Sequence, residues 1–128
     1  MKNLSLIIIL LCLWSSATYA CRVSPWVNVR NNFDSFKEKA DVVFLGKLNY
    51  IEKLNSVSEN AHLTIIKKVK GDIVVGQNIT ILNRHHTSCS HRFDPIGFNY
   101  YVFAKKANDT YLIDEYATFY PDGFKYAQ

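Results

Sequence analysis

The residues whose chemistry reaches beyond packing are two cysteines, Cys21 and Cys89, and a cluster around the second: His85, His86, His91 and Asp94. Imidazoles with a carboxylate suit zinc or copper, so a bound metal is one reading of the cluster, and solvated loop histidines are the plainer one. A Cys–His nucleophile built on Cys89 would need a free thiol. Cys21 is unusual for its position. It follows a stretch that reads as a removable leader: Lys2, an apolar run from Leu4 to Leu13, then small and polar residues up to Ala20. A basic start, a short apolar core and a small residue before the cut are the marks of an export signal. The core is too short to span a bilayer. Cleavage after Ala20 would put an α-amine, a carbonyl and a thiol on one residue, Cys21.

Export also bears on the thiols. Cys12 leaves with the leader, so three cysteines become two. An even pair in an exported chain reads as a disulfide, and Cys21–Cys89 is the one intramolecular bridge possible. Positions 21 and 89 are 68 residues apart, and closing such a loop stabilises by roughly 4 kcal/mol at most. The bridge is open to a modest interpretation, in which it only ties down a frayed terminus. A lipid on Cys21 is a further alternative, although Thr18 and Tyr19 occupy places where lipoprotein signals carry a Leu-type and a small residue.

Residues 21–128 amount to one domain of modest core. With Lys2 gone, 14 basic residues face 11 acidic ones, a net charge of +3. This mild bias suits acidic surfaces or glycans and is too weak to argue for nucleic acid. Lys67, Lys68, Lys70, Lys105 and Lys106 are candidates for a basic patch toward an acidic glycan, against the ordinary reading of a solubilising surface. Asn78-Ile79-Thr80 and Asn108-Asp109-Thr110 fit the N-glycosylation pattern, which matters only in a eukaryotic host. No second apolar segment is long enough to cross a membrane. A glycine-rich phosphate loop, a serine elbow and paired catalytic carboxylates are all missing from the sequence, so no enzyme activity and no cofactor are expected. The expected location is secreted or periplasmic.

Several elements must position these residues. Cys21–Pro25 reads as an extended entry, since Pro25 disfavours helix at Ser24. Val29, Phe33, Phe36 and Ala40 recur at helical spacing within a helix over 27–40, whose start is blurred by Asn28, Asn31 and Asn32. Val42–Leu48 reads as a strand with a close backbone approach at Gly46. Residues 55–60 read as a loop. Ala61–Val69 reads as a strand with a bulge at Lys67. Lys70–Asp72 is a turn, Asn78–Leu82 a third strand, and 83–98 a long irregular loop carrying the histidines. Asn99–Ala104 and Thr110–Tyr116 complete five strands, and Tyr120–Gly123 is a turn signal. Tyr100, Tyr101, Phe103, Tyr111 and Tyr116 read as core and its wet margins. Five short strands and one helix suggest a small closed or nearly closed barrel, of which the five-stranded oligomer-binding barrel is one form.

Cys21 at the processed terminus, Phe36 before Ala40–Lys47, Val69-Lys70-Gly71, Thr87-Ser88-Cys89, and Gly97 before Tyr100–Ala104 follow one order. In that order the chain resembles the netrin-like domain, specifically the N-terminal domain of tissue inhibitors of metalloproteases and its small bacterial relatives. The resemblance runs from Cys21 to about Tyr116. It implies a mainly β chain: a five-stranded, OB-fold-like closed barrel with one or two flanking helices, and a Cys21–Cys89 bridge holding the N-terminal segment beside the second cysteine's loop. It further implies that these two segments enter a metalloprotease active site. The Cys21 amine and carbonyl would chelate the target's zinc, whose open coordination position normally holds water. An α-amine of ordinary pKa near ~7.7–8.0 loses its proton to a metal at little cost. Arg22 would face the specificity pocket, Val23 and Ser24 would run along the cleft, and Thr87, Ser88 and Ser90 would flank it. The chain departs from the inhibitors at Arg22 and Val23, where they usually carry a small or hydroxylated residue and a cysteine, and it lacks two of their bridges. A binding module of the same family, for a protein or an acidic glycan, is the alternative.

Overall fold

A computed structural model describes residues 24–85, 90–94, 96–114 and 117–123. Two short helices open the described chain, α1 (Pro25–Asn31) and α2 (Phe33–Lys39). The sequence predicts one helix there, and Asn32 divides it. Asn32 leaves helical geometry at ψ 39°, and its side-chain Nδ2 donates to both the carbonyl and the Oδ1 of Asn28, each at 2.9 Å. Asparagine competes with the helix for its own backbone partners, and here it prevails. The helix begins at Pro25 and not at the expected Val27, so the extended entry does not include Pro25: a proline suits the first turn, where its missing N–H costs nothing.

Six strands follow: β1 (Val42–Asn55), β2 (Ser58–Lys70), β3 (Asn78–Arg84), β4 (Asn99–Ala107), β5 (Thr110–Ile113) and β6 (Phe119–Pro121). β1 and β2 form a long antiparallel hairpin, and the predicted loop over 55–60 is a two-residue turn in it. Asn55 makes that turn: its Oδ1 accepts from the Val57 N–H at 2.9 Å and the Ser58 hydroxyl at 2.8 Å. β2 pairs β3 antiparallel, β3 pairs β5 parallel, β5 pairs β4 antiparallel, and β4 returns to β1 from Val42↔Ala104 to Lys47↔Asn99. Five strands therefore close a ring of pairings. β6, which the sequence reading missed, lies along the first half of β4. The fifth strand ends at Ile113, before the predicted Tyr116.

Inside the ring lie Phe44, Leu48, Leu63, Ile65, Ile81, Tyr100, Val102 and Phe119, all buried. A second core on the outer side of β1 and β4 packs Val29, Ala40, Val43, Phe103 and Tyr120 beneath the helices. Both faces of these two strands are thus covered. That is why Val42-Val43-Phe44 and Val102-Phe103-Ala104 are buried without alternation. β2 and β3 have one covered face and alternate. The β1–β2 register skips Ile66, one residue from the predicted bulge at Lys67. Gly46 is a close approach as expected: a Cβ there would sit 2.7 Å from the Phe44 ring.

Candidate functional site

Of the residues that the sequence assigns to target binding, Cys21, Arg22, Val23, Thr87 and Ser88 lie outside the described residues, as do Cys89 and His86. Ser24 and Ser90 are described. Ser24 is exposed at the start of α1, where its carbonyl accepts from the Asn28 N–H at 3.2 Å. Ser90 is half-buried. What the structure does define is the frame on either side of them.

The stretch from 90 to 94 is held on the ring's end by buried polar groups. Glu59, at 2% exposure, sits on β2 facing inward. Its Oε1 accepts from Asn83 Nδ2 at 3.0 Å and from the Phe93 N–H at 2.9 Å. Asn83 Nδ2 also donates to the His91 carbonyl at 2.7 Å. The Tyr100 hydroxyl donates to the Asp94 carbonyl at 2.5 Å and accepts from the Asp94 N–H at 3.2 Å. Burial is the main cause that pushes the Tyr100 hydroxyl's pKa up. Phe93 drives its ring into the core, stacked on Phe119 with centroids 3.8 Å apart. The hairpin tip holds the same region, since the His85 N–H donates to the Val57 carbonyl at 2.8 Å. A small cleft of about 90 Å³ lies there, lined by Lys53, Asn55, Ser56, Glu59, His85 and Arg92. The sequence reading assigns none of this to Glu59. Residues 55–60 read as a loop in the sequence, so no local pattern turns Glu59 inward.

Helix α1 packs against the same stretch. Trp26 on α1 meets His91 with ring centroids 4.9 Å apart, and Phe119 at 6.2 Å. Burial lowers the His91 pKa, because a half-buried imidazole resists charging. His91 is thereby part of an aromatic contact. Among the described residues, no group of three or more His, Cys, Asp or Glu side chains could hold a metal ion.

The basic residues do not act as one set. Lys70 Nζ donates to the carbonyls of Lys37, Glu38 and Ala40, at 2.9, 3.2 and 2.6 Å. It closes the C-terminal end of α2, where a cation is favoured. Lys67 and Lys68 lie exposed on β2, and Lys105 and Lys106 on β4, with β1 between the two strands. A larger cleft of about 450 Å³ runs between α2 and β5, and none of its described lining residues belongs to the predicted site. Among the described residues, no helix is long and apolar enough to cross a membrane. Compared with known proteins, the chain matches no family model and no curated protein.

Proposed function

We propose that the chain is an exported metalloprotease-inhibitor-like protein, built on an OB-fold-like closed barrel of the netrin-like kind. In this reading Cys21, freed by cleavage after Ala20 and bridged to Cys89, presents its amine and carbonyl to the zinc of a target protease. Arg22, Val23 and Ser24 follow it along the cleft, and Thr87, Ser88 and Ser90 flank them. The protein is not itself an enzyme and carries no cofactor.

The Trp26–His91 contact supports this best. Trp26 is five residues after Cys21, and His91 is two after Cys89. Five residues span roughly 17 Å at most and two roughly 7 Å. With the two rings 4.9 Å apart, tethers of these lengths are compatible with a Cys21–Cys89 bridge. The ring order β1-β2-β3-β5-β4, with β3 and β5 parallel, agrees with the five-stranded barrel that the resemblance implies. The bonds from Glu59, Asn83 and Tyr100 to residues 91–94 give the second segment a rigid base. A rigid base lowers the ordering cost of binding.

The test compares a chain beginning at Cys21 with one carrying a single extra residue before it, against a panel of zinc proteases. Inhibition by the first and none by the second is the expected result. Arg22 makes proteases with an acidic specificity pocket the first to try, since a desolvated guanidinium needs a carboxylate. Inhibition by neither version would leave the family's binding-module role, for a protein or an acidic glycan, as the better reading.

A further inference from the structure

The outer face of β1–β2–β3 carries an ordered polar lattice around one exposed aromatic ring. At Leu48↔Leu63 and Tyr50↔His62 the register leaves Asn49 as an extra residue on β1. This bulge places two consecutive side chains, Asn49 and Tyr50, on the same outer face, which a regular strand cannot do. Tyr50 lies flat on His62, with centroids 4.1 Å apart and planes 13° apart, yet keeps 55% of its surface exposed. His62 is fixed in turn by Thr80, whose Oγ1 is 3.0 Å from Nδ1. Glu52 Oε1 lies 3.9 Å from His62 Nε2 and accepts from Asn60 Nδ2 at 3.1 Å. The next row is Asn49 Nδ2 donating to Thr64 Oγ1, and Thr64 donating to Asn78 Oδ1, each at 2.8 Å.

We propose that this face binds a neutral oligosaccharide, with Tyr50 as the platform for one sugar ring. An aromatic face attracts the polarised C–H groups on the flat side of a pyranose. The surrounding amides and hydroxyls offer donors and acceptors at fixed positions, and each amide carries more bonding capacity than the lattice consumes. Holding these side chains in place before binding removes much of the rotamer cost that a polyol ligand otherwise incurs. Charge selects among ligands that stack. Glu52 is the one charged group of constant sign bonded into the lattice, and the single lysine beside it, Lys47, stands at the margin as the register partner of Thr64. A polynucleotide or a sulfated glycan brings anions that need cations to meet them. An uncharged sugar chain does not. The site uses none of the residues assigned to protease binding, and its failure leaves the protease reading where it stood.

The test is an amide-resolved NMR titration of the purified chain at millimolar ligand. The probes are β-1,4-linked tetramers of glucose and of N-acetylglucosamine, an α-1,4-linked glucose tetramer, and a heparin tetrasaccharide. Saturable shifts with at least one neutral tetramer, centred on residues 49–52, 60–64 and 78–80, are expected. Tyr50→Ala should weaken that binding roughly tenfold, and Tyr50→Phe should retain it within about twofold. Tyr50→Leu, which keeps apolar bulk without the aromatic face, should behave like Tyr50→Ala and serves if the alanine variant fails to fold. No saturable shift with any neutral tetramer, shifts centred elsewhere, equal binding by Tyr50→Leu, or binding of the heparin fragment alone would each overturn the proposal.

Discussion

Trp26 and His91 join the first helix to the segment following Cys89, their ring centroids 4.9 Å apart and their planes inclined at 47°. Trp26 packs against both hydrophobic cores, so this one contact links α1, the ring interior and the 90–94 stretch. It also makes stability depend on pH. Burial lowers the His91 pKa below its ordinary 6.5. Above that value the imidazole is neutral in both folded and unfolded chains, and the site costs nothing. As the pH falls below it, the unfolded chain takes up the proton first, and stability is lost down through the lowered folded value. His91→Gln, which cannot titrate, should show a smaller drop in melting temperature than the parent between about pH 7.5 and pH 5.5. Equal drops would place the pH dependence in other groups.

Glu59 and Asn83 should be the most sensitive polar pair in the chain. Glu59→Ala removes the acceptor for Asn83 Nδ2 and for the Phe93 N–H, and leaves both donors buried. A loss of roughly 3 kcal/mol in urea unfolding is expected. Glu59→Gln keeps an acceptor oxygen and should cost about 1 kcal/mol. Hydrogen exchange at the Phe93 amide should accelerate far more in the alanine variant than in the glutamine variant. Similar exchange in both would mean that Phe93 does not depend on this acceptor.

Where one covered face repeats every second residue, the sequence is easily read: Ala61, Leu63 and Ile65 on β2, and Ile79 and Ile81 on β3, point inward as expected. Gly46 is legible too, because a missing side chain inside a strand implies something close by. Glu59 is not, since its partners stand 24 and 34 residues away in sequence. Asn32 and Asn55 act through side-chain bonds to their neighbours, so one divides a helix and the other shortens a loop into a turn. β6 has three residues and exists by pairing with β4, which no local pattern announces. The outer-face lattice depends on the bulge at Asn49, and a strict period of two would send Tyr50 inward.

Lys70 and Gly71 form a joint between β2 and α2. The Lys70 ammonium satisfies three carbonyls at the end of the helix. Lys70→Met keeps the aliphatic stem and removes those bonds, so a loss of about 1 kcal/mol is expected, largely insensitive to polyanions. Gly71 has φ 102°, and a Cβ there would meet the Asp41 carbonyl oxygen at 2.7 Å and Val42 Cγ1 at 2.6 Å. Gly71→Ala should therefore cost roughly 2 kcal/mol or more, through strain and collision together. Thermal unfolding of the two variants reads both effects. A neutral Gly71→Ala would show that the backbone there yields freely.

The bridge proposed between Cys21 and Cys89 can be separated from the chemistry of the terminal amine by changing only the distant partner. Cys89→Ala, in a chain beginning at Cys21, keeps the α-amine and carbonyl and frees the thiol. Loss of the cross-link should lower stability by up to roughly 4 kcal/mol. Amide exchange should rise in α1 around Trp26, whose contact with His91 then no longer has a covalent tie beside it. The parent chain should be lighter by two hydrogen atoms before reduction than after, and the variant should show no such change on reduction of its monomer. Any protease inhibition should weaken in the variant without vanishing, because the chelating group survives and only its preorganisation is lost. A parent chain whose mass is unchanged on reduction would remove the bridge, and with it the rigid presentation of Cys21.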